Sequence, residues 1–431
     1  MINLLAYIQV RCDYDHRCQS VNRGGLRCSK IPRIAVILIC ALLCLQRPQQ
    51  ACADSAATGP LVADQSQATE DKKAASFEQL AERARAAMEA DRAPDAIQLY
   101  AQATKVRPDW SEGWWHLGTL LFDSGKLEGA RDAFARFVTV EHRQPGPGFG
   151  MLGLSEFRLQ HYTRAVADFE RGINAGLGSN ADFTRTVLYH DAIVNTLLRH
   201  PELALQRLTL IANQLAAAHP EGPTDAVLSD VQLLDAFGPA ALRRWKLPSE
   251  IPPAQLPMIR KAGRAQALIA LQDRVAAEAE LKELVAMYGS EPGVHYMYGV
   301  LLLKEHPPLA VDEFRREAEI SPSDEAPRIQ LALQFLETAD YVQGLKYARE
   351  AVALAPGNFV AHVACGRLWL ALNKTDRAVI ELRTAVKLAP GSPDAHFALS
   401  EALSQAGRDT EAAHERAEFK RLKALSDAAS R

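Results

Sequence analysis

The chain has 431 residues, 49 Lys+Arg against 52 Asp+Glu, and 48% hydrophobic residues. A net charge of −3 gives no electrostatic reason to expect a nucleic-acid partner. The apolar content excludes wholesale disorder, and 25 Gly with 23 Pro exclude collagen-like and low-complexity chains. The length suits two or three domains or one elongated array, and abundant Ala with few aromatics points to close-packed helices.

Residues 1–53 have the order of a signal peptide. Arg23, Arg27, Lys30 and Arg33 form a basic flank, Ile34 to Leu45 is an unbroken apolar run, and Ala51 and Ala53 stand in the A-x-A positions of a cleavage site. The run has twelve residues, whereas a helix needs ~20 to cross a bilayer core, so cleavage is expected rather than anchoring. Residues 1–22, with Asp13, Asp15 and His16, fit a signal poorly, which predicts a translation start near Val21 or Leu26. The residues before Cys40, Cys44 and Cys52 make no good lipobox, because Ile39 and Leu43 are bulky and Gln49 is polar. Cleavage after Ala53 removes six of the seven cysteines and leaves 42 Lys+Arg against 50 Asp+Glu, a net −8. Residues 54–76 begin small and polar and read as a flexible linker.

From Phe77 onward a period appears. Pro322, Pro356 and Pro390 are 34 residues apart, as are Ala310, Gly344, Ala378 and Ala412, and likewise Ala332, Gly366 and Ser400. Earlier in the chain, Tyr100, Phe134 and Phe169 follow Ala96, Ala130 and Ala165 by four positions, with Gly118 and Gly153 in the early small column. Small residues at a fixed period suit helix pairs that cross closely. A large residue four positions later lies on the same helical face. Proline ends a helix. Clear units begin near Phe77, Ser111, Gly146, Glu291, Glu325, Phe359 and Pro393, and weaker ones near Arg185 and Met258. Residues 219–257 keep helical patches but lose the columns. There Pro248, Pro252, Pro253 and Pro257 break continuity, and the segment reads as an irregular connector between an N-terminal array, 77–218, and a C-terminal array, 258–426. Arg416, Lys420, Arg421 and Lys423 make the last helix polar, as a cap on an open stack should be.

Trp114-x2-Leu117-Gly118 with Ala130-x3-Phe134, and Cys365-Gly366-x2-Trp369 with Ala378-x3-Leu382, Ala385 and Pro390, resemble the tetratricopeptide repeat, in an exported protein of bacterial type. The resemblance implies an all-α fold, a right-handed α-solenoid of stacked helix-turn-helix repeats, interrupted by the irregular central segment. It also implies that first helices line a concave face. Side chains off the core columns would project there: Trp115, Thr119 and Phe122 near the N-terminus, and Ile329, Leu333, Val363, Arg367, Leu370, Phe397 and Glu401 near the C-terminus. Some relatives clamp a peptide's terminal carboxylate with Lys, Asn and Arg. The corresponding positions here hold Ala81, Arg85, His116, Pro147 and Met151, so that pattern is absent apart from one arginine.

No residue set nominates catalysis. Gly148, Gly150 and Gly153 match G-x-G-x-x-G, but a dinucleotide site needs a preceding strand, and Gly153 already belongs to a crossing column. His362 and His396 recur at one repeat position and make no closed metal site. Cys365 reads as a buried inert thiol, and His190 and Asp191 have no nucleophile that the sequence can nominate. The expectation is therefore a non-catalytic scaffold without cofactor or metal, binding a protein or peptide in its groove in the periplasm or outside the cell. The alternative is an inner-membrane-anchored part of an envelope assembly or secretion machine, if residues 34–45 stay uncleaved.

Overall fold

A computed structural model describes residues 63–429, with side chains over 75–425. The signal-like segment and the first part of the linker lie outside the described residues. Among the described residues every regular element is a helix, and the contacts divide the chain into two compact units at Thr186/Val187.

The first unit stacks α1 (Ala63–Glu89) on α2 (Ala93–Val106), α3 (Ser111–Asp123) on α4 (Leu127–Val140), and α5 (Gly146–Arg158) on α6 (Tyr162–Ala175), followed by the start of α7 (Ala181–Leu197). Helix α1 starts at Ala63, so residues 63–76 are helical rather than a flexible linker. That stretch contains no Pro or Gly. Its Ala, Gln, Glu and Lys residues are good helix formers, which composition read only as polarity hides. Phe77, Ala81, Ala84 and Ala87 then provide the buried stripe facing α2.

The second unit holds the rest of α7 and α8 (Pro201–Ala218), then α9 (Pro223–Ser229) and α10 (Val231–Ala241). Next come α11 (Leu256–Ala270) with α12 (Arg274–Tyr288), α13 (Val294–Leu302) with α14 (Pro307–Ile320), and α15 (Ala326–Glu337) with α16 (Tyr341–Leu354). The last pairs are α17 (Phe359–Ala371) with α18 (Thr375–Leu388) and α19 (Pro393–Gln405) with α20 (Asp409–Ala429).

The columns have a direct physical origin. Ala96, Ala130, Ala165, Ala310, Ala378 and Ala412 are fully buried at the crossings. A Cβ on Gly118, Gly153 or Gly366 would lie 2.7, 2.5 or 2.4 Å from Phe134, Phe169 or Leu382. The small column of one helix is the seat for the large column of the next. Burying each of those large side chains stabilises by about 1.5–3 kcal/mol. Within most pairs the turn is set by a left-handed residue. At Gly125, Asn373 and Gly407 (φ +71°, +57° and +72°) the following N–H reaches back to Leu121, Trp369 and Leu403 at 2.8–2.9 Å. Pro322, Pro356 and Pro390 each stand two residues beyond a helix end, at Ile320, Leu354 and Leu388.

Residues 219–257 are not a boundary between arms; they lie within the second unit. Asp230 caps α10 by accepting from the Leu233 N–H at 3.0 Å, and Leu233, Phe237 and Ala240 are buried. Helix α10 ends as the regular first helices do: Arg243 is left-handed (φ +55°), and the Arg244 N–H reaches Pro239 O at 2.7 Å. It packs on α11 through reciprocal glycines. A Cβ on Gly238 would sit 2.2 Å from Ile259 O, and one on Gly263 2.2 Å from Leu234 O. The repeat columns disappear because backbone meets backbone and leaves no seat for a large side chain.

Candidate functional site

In the first unit the amino ends of three first helices, α3, α5 and α7, frame an open cavity of about 600 Å³. Its apolar wall comes from Trp115 on α3, Phe137 on α4, Pro147 and Met151 on α5, and Leu177 and Phe183 around the turn into α7. The aromatic side is rigid. The Trp115 ring lies 5.3 Å from Phe137 and 5.8 Å, edge-on, from Phe134, within the range where aromatic pairs attract beyond area burial. Phe137, Met151, Leu177 and Phe183 are themselves buried, so they offer faces rather than mobile ends.

Close backbone packing shapes the remaining wall. Gly146 has no room for a Cβ, which would fall 2.0 Å from Gly176 O, and Gly178 is left-handed at φ +86°. Asn180 caps α7 by accepting from the Phe183 N–H at 3.0 Å, which fixes the Phe183 ring at the rim. The two carboxylates there are already engaged. Glu141 accepts from the backbone N–H groups of Arg143 and Gln144 at 2.9 and 3.3 Å; the Arg143 bond is the main cause holding its carboxyl below the usual range. Burial opposes ionisation of Glu112, yet the Arg85 fork, at 3.1 and 3.0 Å, keeps its carboxyl low. The cavity therefore presents apolar surface framed by satisfied carboxylates, a geometry that accepts an apolar side chain from outside.

The residues expected in a groove separate into three groups. Trp115 lines the cavity. Thr119, Phe122, Ile329 and Val363 are buried instead, and Leu333 and Leu370 pack against core clusters, half-exposed. Phe122 is 1% exposed; Arg158 covers its ring at 4.9 Å, and the Thr119 hydroxyl donates to His116 O at 3.0 Å. Ile329 packs with Ala351 and Ala361, and Val363 with Ala378 and Leu382. Helical spacing gives the face of a helix but not which neighbour covers it, and these four buried residues are covered by neighbouring side chains. Arg367 and Glu401 are exposed, and Phe397 packs its partly exposed ring 5.2 Å from Phe419. The cavity's other walls come from second-helix ends and turns, which column arithmetic does not reach. Pro147 and Met151 had a signal, since both stand at clamp-like positions.

The histidine column has a structural role. His362 Nδ1 lies 2.7 Å from Glu381 and Nε2 3.0 Å from Pro356 O; His396 repeats this with Glu415 at 2.5 Å and Pro390 O at 3.1 Å. In the first unit Trp114 Nε1 donates to Pro108 O at 2.8 Å, again six residues back. At this position a ring N–H satisfies the carbonyl that proline-ended helices leave open. Cys365 is buried, and burial pushes its thiol up to about 12, which makes it inert at neutral pH. Asp191 is held by Arg207 at 2.8 Å and by Asn195 at 2.9 Å.

The tetratricopeptide repeat family model matches residues 82–146, 329–393 and 366–418. Similar solved structures include the protein "MamA 41-end from Desulfovibrio magneticus RS-1", at 19% identity over 39% of this chain and 97% of that one, with a TM-score of 0.36. Another is "YrrB: a TPR protein with an unusual peptide-binding site", at 17% identity over 38% of this chain and 86% of that one, with a TM-score of 0.34. Both likenesses are of architecture alone. A comparison with curated protein sequences finds no match. Paired helices on a 34-residue period, with small residues at the crossings and Pro322, Pro356 and Pro390 after three of the second helices, accord with that match: the chain carries tetratricopeptide repeats over residues 82–146 and 329–418.

Proposed function

We propose that this protein is an exported, non-catalytic scaffold whose first unit docks a partner segment by seating one apolar or aromatic side chain in the cavity beside Trp115. Tetratricopeptide repeat proteins bind protein or peptide partners, and no enzyme family is indicated for this chain. The observation that carries the finer reading is the cavity itself: about 600 Å³, walled by Trp115, Phe137, Met151 and Phe183 on rigid elements. A buried aromatic or aliphatic anchor typically supplies most of the energy of such an interface. Photo-crosslinking from a probe residue at Ser111 in the native cell envelope, compared with Met151→Arg, tests it. Met151→Arg fills the cavity and is expected to abolish the crosslinked species at unchanged helicity. Undiminished crosslinking would overturn the assignment.

Export rests on Arg23 to Arg33, the apolar run 34–45 and Ala51/Ala53. Among the described residues no helix is long and apolar enough to cross a membrane. A mature N-terminus at Asp54 in an extracytoplasmic fraction supports cleavage and export. Retention in the pellet after carbonate extraction would favour the anchored assembly component instead.

A further inference from the structure

The second unit contains a cavity of another character. Regular helix pairs turn in three residues, such as 372–374 between α17 and α18, but fourteen residues, 242–255, separate α10 from α11. The start of this excursion, Arg243 to Lys246, lines a cavity of about 500 Å³ together with Arg199 and the turn 320–325. Trp245 is flanked by two guanidinium groups, Arg243 at 5.2 Å and Arg199 at 5.9 Å from its ring.

The cations of this cavity are unequally occupied. Arg243 is held by Asp324 at 3.3 Å and lies 3.8 Å from Glu325; Arg244 donates to Glu291 at 3.0 Å. Arg199 and Lys246 have no acidic partner among the described residues, and the buried Arg244 Nε–H has no acceptor. Four cations thus stand against Asp324, Glu325, Glu291 and the buried Glu317, but Glu317 is already satisfied by the Gly293 N–H at 2.8 Å and the Ser321 hydroxyl at 2.6 Å, so the unspent capacity is that of Arg199, Lys246 and the Arg244 Nε–H. Two cations without an acidic partner suit an anion of low charge. A phosphate dianion would also meet the two carboxylates at the rim, and like charges in a half-enclosed site repel strongly. Trp245 supplies apolar indole surface next to the charge, suited to an apolar or aromatic group.

We propose that this cavity binds a single carboxylate carried beside an apolar or aromatic group, on a small acid or on a peptide. The site is unrelated to the repeat positions of the carboxylate clamp, because its cations come from helix-ending turns and from the excursion. The four cations and Trp245 act together: Arg199 and Lys246 contact the carboxylate directly, Arg243 and Arg244 set the local field, and Trp245 packs against the flanking group.

Calorimetric titration of the full chain with 3-phenylpropionate, 3-phenylpropionamide, acetate and inorganic phosphate tests this. The acid is expected to bind at least tenfold more tightly than its amide and than phosphate, with acetate weaker than phenylpropionate. Arg199→Gln with Lys246→Gln should reduce acid binding at least tenfold at unchanged melting temperature. Both side chains are exposed, and Gln160 and Gln272 already occupy the same left-handed turn position as Arg199. Trp245→Leu should remove the preference for phenylpropionate over acetate. Two peptides, one ending in a free Phe carboxylate and one amidated with an internal Phe-Asp, then separate a terminal from a side-chain source. Equal binding of acid and amide, phosphate binding tighter than the acid, no binding by any probe, or affinity indifferent to the double substitution would each overturn the proposal.

Discussion

At the α17/α18 crossing, Gly366 faces the Leu382 side chain; at α10/α11, Gly238 and Gly263 each face the other helix's backbone. Both crossings need close approach, but the neighbours differ in what they can do. A leucine can rotate away at modest cost, whereas a carbonyl fixed in a helix cannot move without shifting the helix. The regular column therefore tolerates Ala332, Gly366 and Ser400 in successive repeats, and Ser400 turns its hydroxyl onto Phe397 O at 2.7 Å. The central crossing admits no such variation. The part of the chain that looks least ordered by its columns is where the packing is least forgiving.

Four measurements sharpen that contrast or break it. Gly→Ala inside a helix ordinarily gains about 0.5–1 kcal/mol. At Gly263 the new Cβ would meet Leu234 O at 2.2 Å, so the sign should reverse. Urea unfolding of Gly263→Ala is expected to show a loss exceeding ~3 kcal/mol, beyond ordinary overpacking. A neutral result would mean that the α10/α11 crossing is as adaptable as the repeats.

A regular crossing can also carry charge. Asp168 on α6 is buried with Glu156 of the facing α5 nearby, and its carboxyl is pushed up to about 6, first by burial, against Arg171, and then by Glu156. Glu156 in turn lies 2.6 Å from His161 and 4.0 Å from Arg164. A raised carboxyl means that the folded state holds the extra proton. Its contribution is fully present below about pH 4 and is lost as pH rises through about 6, by up to ~3 kcal/mol. Asp168→Asn should flatten that part of the stability curve. An unchanged slope between pH 4 and 7 would show that Arg171 fully compensates the burial.

Ala378→Leu, at a fully buried seat of the regular kind, should cost ~1–3 kcal/mol, less than Gly263→Ala. Equal losses would erase the distinction between the two crossings. The smallest effect is expected from His396→Ala, which removes the bonds to Glu415 and Pro390 O and should cost ~1–2 kcal/mol in thermal or urea unfolding. No loss at all would make the column a matter of spacing and not of capping.

The small and large columns were legible in the residues because a crossing leaves the same requirement every 34 positions. Ala378, Gly366 and Pro390 state it without reference to any neighbour. The apolar cavity was legible only through Trp115 and, less directly, Pro147 and Met151. Phe137, Leu177 and Phe183 reach it from a second helix's end and from a turn, whose direction depends on the Gly146–Gly176 contact. Phe122, Ile329 and Val363 show the converse. Their helical phase suited a groove, but Arg158, Ala351 and Ala378 close over them in three dimensions.

Residue order by itself determined the helix pairs, their period and the positions where proline ends them, since these depend on contacts within a repeat and on local backbone preference. It also carries the basic, apolar, small-residue order of residues 23–53. Tertiary structure alone decided which faces are covered, where the cavities open, and that residues 219–257 form a packed crossing with a basic excursion. Those outcomes depend on backbone and charge meeting across long stretches of chain, as Arg243 meets Asp324 81 residues away, and no local pattern encodes such a meeting.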